Sequence, residues 1–237
     1  MSKLPNLKSW ILFENENYVV INKPAFVPSI AERGKFTHTP VLDLVREIWP
    51  EATLCHRLDR ETSGALIVAL NAEAYRHASI QFEKRKVQKI YHAIAEGHVN
   101  FDNLKVDLPI NTDNLHQIRI DRKTGKAATT WFHTLQLFRH FTLIECKPVT
   151  GRLHQIRVHL ASQNARISGD EMYGGHVPML AEIKKKMSGE NTPLIQRFAL
   201  HAREIIFTDV NGTNITVIAP YPKDFSVMLK LLEKYDS

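Results

Sequence analysis

Strand-like segments follow one another in the middle of this sequence without helices between them. Residues 115–120, 128–138 and 141–147 carry β-branched or aromatic side chains at strand spacing, and residues 88–97 form a similar run before them. The strict alternation of strand and helix that is typical of parallel sheets is missing. The grouping predicts an α+β fold, with a largely antiparallel mixed sheet and flanking helices.

Local signals predict the remaining elements. Asn71 can cap a helix that reaches about Lys84, and Asn211 with Gly212 is a typical turn between two strands of a hairpin. Residues 65–70 are a continuous apolar run of strand length, which predicts a buried strand. Similar signals predict a strand at residues 18–22 and helices at residues 40–50, 151–161, 178–188 and 225–235.

Size and charge limit the class of protein. A chain of 237 residues suits a single domain over residues 1–237, with residues 1–15 as an N-terminal extension. A net charge of +6 fits a polyanionic partner such as a nucleic acid. Cys55 and Cys146 lie outside any CxxC pair, and no signal peptide or membrane-spanning run is evident. We therefore expect a cytoplasmic protein, with a monomer as the default.

One carboxylate stands among cations in HRLDRETSG, residues 56–64. His56, Arg57 and Arg60 surround Asp59 in sequence, immediately before the predicted buried strand. The neighbouring cations are expected to keep Asp59 ionised at neutral pH, so it could act as a nucleophile or a base. An aspartate in such a turn is also commonly a structural cap, and the residues alone leave that alternative open.

A second cationic segment is VTGRLHQIRVHLAS, residues 149–162. If its helix begins at residue 151 with Thr150 as the cap, then Arg152, Gln155 and His159 share one side. An arginine in the first helical turn opposes the helix dipole at a cost of roughly 0.3–1 kcal/mol, which suggests that an anion faces it. Asp59 and a phosphate are the two candidates, and a merely solvated basic face is the alternative.

These segments, together with KIYHAIAEG around Tyr91, resemble the RluA-type pseudouridine synthases, which isomerise uridine in RNA. HRLDRETSGALIVA is similar to the family's catalytic-aspartate motif. VVINKPAFVP precedes it in the usual place, while ISGDEMYGG, RFALHA and IAPYPKDF follow in the family's order. The resemblance covers most of the chain. It implies the pseudouridine synthase fold, with a central active-site cleft.

The resemblance also implies a role for each matching residue. Asp59 would be the catalytic carboxylate, Arg152 would pair with it, and Tyr91 would stack on the flipped base and handle a proton. Leu200 would pack beside the ring, and Arg57 would fill the space that the base leaves. The residues expected to bind substrate are Arg57, His56, Arg60, Leu200, Gln155 and Arg157.

The sequence departs from the family's pattern at three positions that affect local packing. Leu153 stands where threonine or serine is usual, Ala65 where a larger aliphatic residue is usual, and Phe26 where glycine is frequent. Many relatives also carry an S4-like RNA-binding domain before the catalytic domain. Here the first strand is predicted almost at once, so we expect the catalytic domain to select the RNA itself.

The implied reaction moves uracil from N1 to C5 without redox change, so no cofactor is expected, and no His or Cys cluster has zinc-site spacing. Flipping the uridine out costs a few kcal/mol, and stacking on an aromatic ring returns ~1–3 kcal/mol. Attack at C1′ and abstraction of a ribose proton are both open for Asp59. The substrate would be ribosomal RNA, transfer RNA or both.

Two other functions remain open from the residues alone. A non-catalytic RNA-binding module of the same fold would fit the basic charge. A glycoside hydrolase or nucleosidase could also use Asp59, although such hydrolases usually need two carboxylates and only Glu61 lies near. RNA containing 5-fluorouridine separates the three, because a binder gives no rearranged product and a hydrolase releases the base.

Overall fold

The computed structural model describes residues 6–31, 38–114, 117–184 and 192–237. The predicted α+β class with a mostly antiparallel sheet is confirmed. The helices are α1 (Val41–Arg46), α2 (Ala72–Glu83), α3 (Gln155–Ser162), α4 (Leu180–Ile183) and α5 (Lys223–Tyr235). The strands are β1 (Ile11–Glu14), β2 (Tyr18–Lys23), β3 (Thr53–Leu54), β4 (Ser63–Ala69), β5 (Gln88–Glu96), β6 (Leu104–Asp107), β7 (Ile110–Asn111), β8 (Arg119–Ile120), β9 (Thr129–Leu137), β10 (Phe141–Pro148), β11 (Leu200–Thr208) and β12 (Asn214–Ile218).

The chain divides into two compact units, each with its own core. Unit 1 comprises Met1–Lys89 and Ala202–Pro220, and unit 2 comprises Ile90–His201 and Tyr221–Ser237. The sequence-based division into one catalytic domain and a short N-terminal extension stays a prediction. Within the described ranges, no helix has the length and hydropathy needed to cross a bilayer.

The sheet of unit 1 is built around β4, whose seven residues are all buried. Strand β2 pairs with it antiparallel, with Lys23 opposite Gly64, and β3 pairs with its far end. Strand β11 lies on the other side of β4, and β12 pairs with β11 through the predicted turn at Asn211 and Gly212. The continuous apolar run in the sequence is explained by this central position, because both faces of β4 are covered.

Helix α2 covers one face of this sheet. The Asn71 side chain accepts the N–H of Ala74 at 2.8 Å, which is the predicted N-cap. Ala74 and Ala78 bring the helix close to the strands, where the Tyr18 ring meets Phe207 edge-on with centroids 5.1 Å apart. The small residues on the helix therefore leave room for the aromatic side chains of the sheet.

The residues before β2 are part of the packing of unit 1. Trp10 is buried, and β1 pairs with β2. The carboxylate of Asp209, itself buried, accepts hydrogen bonds from the side-chain amides of Asn15 at 2.7 Å and Asn17 at 3.1 Å. A buried carboxylate that accepts such bonds keeps its charge compensated, so these three residues anchor the N-terminal segment.

Unit 2 contains the antiparallel strand order β5-β10-β9-β6. Helices α3 and α5 contribute Leu160 and Phe225 to its core, where they join Ile94 and Ile144 from the strands. A separate two-stranded pair, β7 with β8, packs through Ile110 against Val158 of α3. The sheet and its helices form the core of unit 2.

Three sequence-based boundaries are corrected. Helix α3 begins at Gln155, four residues later than predicted, so Arg152 precedes it. The strand predicted over residues 115–120 is observed only as β8, with residues 115 and 116 outside the described ranges. The helix predicted over residues 178–188 is observed as α4, which ends at Ile183, and residues 185–188 of the predicted range lie outside the described part.

Candidate active site

The loop between β3 and β4 carries Asp59 together with His56, Arg57 and Arg60. Asp59 is half-buried and Arg57 is exposed. The carbonyl of Asp59 accepts the N–H of Thr62 at 3.0 Å, which closes a turn just before the buried strand. Four of the predicted site residues therefore lie on one short loop at the N-terminal end of β4.

Both sequence neighbours of Asp59 are hydrogen-bonded to the segment that follows β2. The hydroxyl of Ser29 donates to the Leu58 carbonyl at 2.8 Å and accepts the Leu58 N–H at 3.1 Å. On the other side, the Phe26 N–H donates to the Arg60 carbonyl at 2.8 Å. The backbone on either side of Asp59 is held at two points, so the carboxylate starts from a defined position.

A buried ammonium reinforces this connection. The side chain of Lys23, with none of its surface exposed, donates to the carbonyls of Pro24 at 2.8 Å, Val27 at 2.9 Å and Arg60 at 3.0 Å. Three carbonyl oxygens at hydrogen-bond distance compensate much of the desolvation cost of the charge. Lys23 thus joins the segment after β2 to the Asp59 loop.

Sequence analysis did not identify Lys23 or Ser29 as parts of the site. The available signal was the segment VVINKPAFVP, which matched the family but received no role. A lysine next to a proline is normally expected at the surface. Its partner at Arg60 is distant in sequence, so the hydrogen bond has no local signature.

Gly64 is required where β4 begins. Its φ is +116°, and a Cβ atom on it would lie 2.2 Å from the carbonyl oxygen of Ala202. Only glycine satisfies both the backbone angle and this close approach of β11. The glycine of the DRETSG segment therefore fixes how the Asp59 loop enters the sheet.

His56 is neutral at physiological pH. Burial, followed by the charge of Lys89, lowers the pKa of His56 to about 3, while a hydrogen bond to the backbone of Arg57 opposes the shift. Its Nε2 accepts the N–H of Ile67 at 3.1 Å, and its ring lies 5.1 Å from that of Phe82. The description of His56 as one of the cations around Asp59 is therefore wrong, although its place in substrate binding stays a prediction.

Arg60 contacts the neighbouring acid rather weakly. Its guanidinium lies 3.7 Å from the Glu61 carboxylate, and both side chains are substantially exposed. Exposed pairs of this kind contribute about 0–1 kcal/mol. The main-chain carbonyl of Arg60, in contrast, accepts hydrogen bonds from Lys23 and Phe26.

In unit 2, the segment around Arg152 is organised by Gln155, which is only 4% exposed. The Gln155 side-chain oxygen accepts the Thr150 hydroxyl at 2.7 Å and the Arg152 N–H at 2.9 Å. Its amide nitrogen donates to the carbonyl of Thr129 and the hydroxyl of Thr130. Thr150 therefore does not cap the helix as predicted, because its hydroxyl is bonded to Gln155.

Arg152 lies in the turn before α3, where the argument from the helix dipole does not apply. Its Nε donates to the carbonyl of Ala127 at 3.1 Å, and the residue is half-buried. Two residues after Arg152, His154 has a φ of 54° and is hydrogen-bonded through Nδ1 to the Tyr173 hydroxyl at 2.8 Å. The backbone holding Arg152 is thus set by Gln155 and His154, one on each side of the start of α3.

Arg157 is held in a buried ion pair. Its Nε and Nη2 each donate to Asp170 at 2.7 Å, and the two side chains are 6% and 1% exposed. The guanidinium also lies over the rings of Tyr173 and Phe198, 5.0 and 4.2 Å from their centroids. This environment favours a structural role, and the predicted contact with substrate remains untested.

Tyr91 and Leu200 lie on strands of the same unit. Tyr91 is half-buried on β5, opposite Cys146 of β10. Leu200 is buried at the start of β11, and its carbonyl accepts Nη1 of Arg197 at 3.1 Å. Arg197 is fully buried and forms a bidentate pair with Asp224.

The structure places the predicted site residues in two groups. His56, Arg57, Asp59 and Arg60 share one loop of unit 1, whereas Tyr91, Arg152, Gln155, Arg157 and Leu200 belong to unit 2. The pairing of Asp59 with Arg152 stays a prediction. Among the described residues, no group of three or more His, Cys, Asp or Glu side chains could hold a metal ion.

Residues 17–162 match the family model described as RNA pseudouridylate synthase. The chain belongs to this family. The matched range includes Asp59, Tyr91 and Arg152, together with those segments of the resemblance that lie before residue 163.

Curated relatives place the chain among the RluA-type members. The ribosomal large subunit pseudouridine synthase C of Vibrio cholerae is 35% identical over 177 residues, covering 73% of this chain and 56% of that protein. The ribosomal large subunit pseudouridine synthase D of Neisseria meningitidis is 34% identical over 235 residues, covering 94% and 60%. The chain therefore spans less than two thirds of the length of these relatives. The dual-specificity RNA pseudouridine synthase RluA of Vibrio vulnificus is 32% identical over 213 residues, covering 86% and 80%.

Solved structures confirm the predicted pseudouridine synthase fold. The human RNA pseudouridylate synthase domain containing 4 superposes with a TM-score of 0.77 at 25% identity, covering 96% of this chain and 94% of that one. The human RNA pseudouridylate synthase domain containing 1 gives a TM-score of 0.69 at 27% identity, covering 90% and 83%. The α+β architecture of the chain is therefore that of the RNA pseudouridylate synthases.

Proposed function

We propose that this chain is an RNA pseudouridine synthase that isomerises a uridine of ribosomal RNA, transfer RNA or both through Asp59. Family membership supports the reaction class, and the names of the relatives support an RNA substrate. We further propose that it acts as a cytoplasmic monomer without a cofactor.

The observation that carries the proposal is the way Asp59 is held. Ser29 bonds both polar backbone groups of Leu58, while Lys23 and Phe26 bond the carbonyl of Arg60. An aspartate whose backbone is fixed on both sides, and which is still partly exposed, is pre-organised for a reaction at one position. A structural cap would not need two such supports around an accessible acid.

The reaction can be written with all atoms balanced. The C1′–N1 bond of uridine breaks, uracil turns within the site, and a bond forms between C1′ and C5. N1 gains a proton and C5 loses one, so the product is an isomer of the substrate. Asp59 acts either as a nucleophile at C1′ or as a base toward a ribose proton.

The other residues are proposed to support this step. Arg152 keeps Asp59 ionised and directed, Tyr91 stacks on the flipped uracil and handles a proton, and Leu200 packs beside it. Arg57 fills the space that the uracil vacates. Arg60 contacts the RNA backbone, and the remaining predicted binding residues are His56, Gln155 and Arg157.

Tritium release tests the proposal directly. RNA carrying tritium at C5 of uridine loses the label to water only when C5 forms its new bond, so release measures isomerisation. With ribosomal and transfer RNA transcripts as substrates, the wild type should release tritium. Asp59→Asn should lower the rate by at least roughly 1,000-fold while leaving RNA affinity nearly unchanged.

Asp43→Asn is a matched control, because Asp43 is an exposed acid on α1 of the same unit. It should keep wild-type activity. Substantial release by Asp59→Asn would exclude Asp59 as the catalytic group. A wild type that binds RNA without release would be the non-catalytic module, and one that frees uracil would be a hydrolase.

A further inference from the structure

Phe26 combines two unfavourable features in the turn that supports the Asp59 loop. Its φ is +67°, a left-handed conformation that is unfavourable for a residue with a Cβ atom. Its side chain is nevertheless 44% exposed. If the ring were buried, its packing would offset the cost of the strained backbone. Much of this ring faces solvent instead.

The turn that carries Phe26 is rigid. The carbonyls of its neighbours Pro24 and Val27 both accept from the buried ammonium of Lys23, and Val27 is 1% exposed. The Phe26 N–H is itself bonded to the Arg60 carbonyl at 2.8 Å. The backbone of Phe26 is therefore hydrogen-bonded directly to Arg60, the residue that follows Asp59.

The loop that is hydrogen-bonded to this turn carries two arginines as well as Asp59 and Glu61. Arg57 is exposed, and the Arg60 guanidinium, itself partly exposed, lies 3.7 Å from the Glu61 carboxylate. An exposed aromatic ring close to a cationic loop is the combination with which proteins bind unpaired nucleotides: the ring stacks on a base while the cations contact phosphates.

We propose that Phe26 is a stacking platform for an unpaired nucleobase of the RNA substrate, next to the uridine that is isomerised. The inference rests on the proposed function and deepens it, because it assigns a substrate-positioning residue beside the Asp59 loop. Phe26 takes no part in the chemistry. The strained conformation is retained because the phenyl ring adds RNA affinity that a glycine, which has no side chain, could not provide.

The backbone angle makes a decisive variant available. Phe26→Gly removes the ring and relieves the strain together, so folding stability and RNA affinity should move in opposite directions. The urea midpoint should equal or exceed that of the wild type. Affinity for RNA should fall about 5- to 150-fold, the loss expected for one stacked base.

Affinity is measured by fluorescence anisotropy with a labelled single-stranded oligouridylate and a labelled hairpin with a uridine-rich loop. All variants are made on the Asp59→Asn background, so that no turnover occurs. Phe26→Trp should keep or improve affinity, whereas Phe26→Leu, which keeps the strain and an apolar surface, should lose most of it. Equal affinity of the phenylalanine, leucine and glycine forms would overturn the proposal.

Salt dependence separates stacking from charge. Phe26→Gly should leave the slope of log affinity against log salt unchanged, while Arg57→Ala should reduce it by about one. Light scattering of the wild type and Phe26→Gly provides a second test: loss of a dimer in the variant would show that the ring binds a second copy instead.

Tritium release by the wild type tests the proposed function on its own. Release combined with unaltered binding by Phe26→Gly would overturn only the stacking role. Absence of release from any RNA would overturn the catalytic proposal, and the binding series would still decide whether Phe26 stacks on a base.

Discussion

The buried ammonium of Lys23 donates a hydrogen bond to the carbonyl of Arg60, the residue that follows Asp59. One lysine thereby joins the end of β2 to the loop that carries the proposed catalytic acid. Because the ammonium also bonds Pro24 and Val27, its removal would disturb both segments at once.

Lys23→Met keeps much of the volume but removes the donor from buried carbonyls. We expect the free energy of unfolding to fall by about 2–4 kcal/mol, because buried acceptors lose their partner. The turnover rate of the folded fraction should fall about 100-fold if Asp59 shifts by an ångström. Urea unfolding and single-turnover tritium release measure the two effects. The exposed Lys86, changed to Met, should alter stability little.

Gly64→Ala should be much more damaging than Gly97→Ala. Both glycines have positive φ, but a Cβ at Gly64 meets the Ala202 backbone at 2.2 Å, whereas nothing lies within 4 Å at Gly97. We expect losses of about 2–5 kcal/mol and about 1–2 kcal/mol, respectively. Thermal and urea unfolding check the difference, and equal losses would show that the close approach of β11 is unimportant.

Asp170→Asn tests whether Arg157 supports the fold or contacts RNA. Removing one partner of a buried ion pair costs about 3–5 kcal/mol, so the variant should unfold at markedly lower urea concentration. RNA affinity below the transition should be little changed. Arg157→Met should behave in the same way. Stable variants that lose RNA binding would instead support the predicted substrate contact.

Stability should fall in mild acid because of His56. Its pKa is about 3 in the folded protein, against an ordinary value of 6.5, so the unfolded chain takes up the proton first as pH falls. The contribution of neutral His56 to the free energy of unfolding is complete above pH 6.5, and it is lost progressively as the pH falls from 6.5 toward 3. Protonation of Nε2 would also remove the acceptor for Ile67.

The matched variant is His56→Gln, which offers a side-chain acceptor but does not titrate. Urea midpoints of the two proteins, measured at pH 7.5 and 5, should show a smaller acid loss for the variant. An identical acid loss would assign the pH dependence to other groups.

Short runs of apolar and β-branched residues were enough to predict the strands that position the site. Residues 18–22 and 65–70 are strands β2 and β4, because each carries a run of side chains suited to a buried sheet. Asn71 marked the start of α2 correctly, since N-capping depends on neighbours a few residues away. Features governed by such short-range rules were predictable.

The start of α3 was not predictable in the same way. Thr150 and Gly151 resemble a helix cap, yet the Gln155 side chain takes both the Thr150 hydroxyl and the Arg152 N–H. The Gln155 side chain is oriented for these bonds because its amide nitrogen donates to Thr129 and Thr130, which lie on a strand distant in sequence. Partners distant in sequence decided this boundary, as they did for Lys23.

The anchoring of Asn15 and Asn17 to Asp209 has a consequence for anyone shortening this protein. A chain cut to begin at Tyr18 would lose only the first residue of the family-matched range, and yet it would lose both amide donors to Asp209. The Asp209 carboxylate would keep the Val210 N–H at 2.7 Å but lose the two amide donors, so the trimmed protein should be less stable and should aggregate more readily. Asp209→Asn made in the same trimmed chain should recover much of its solubility, since a neutral amide tolerates that position alone.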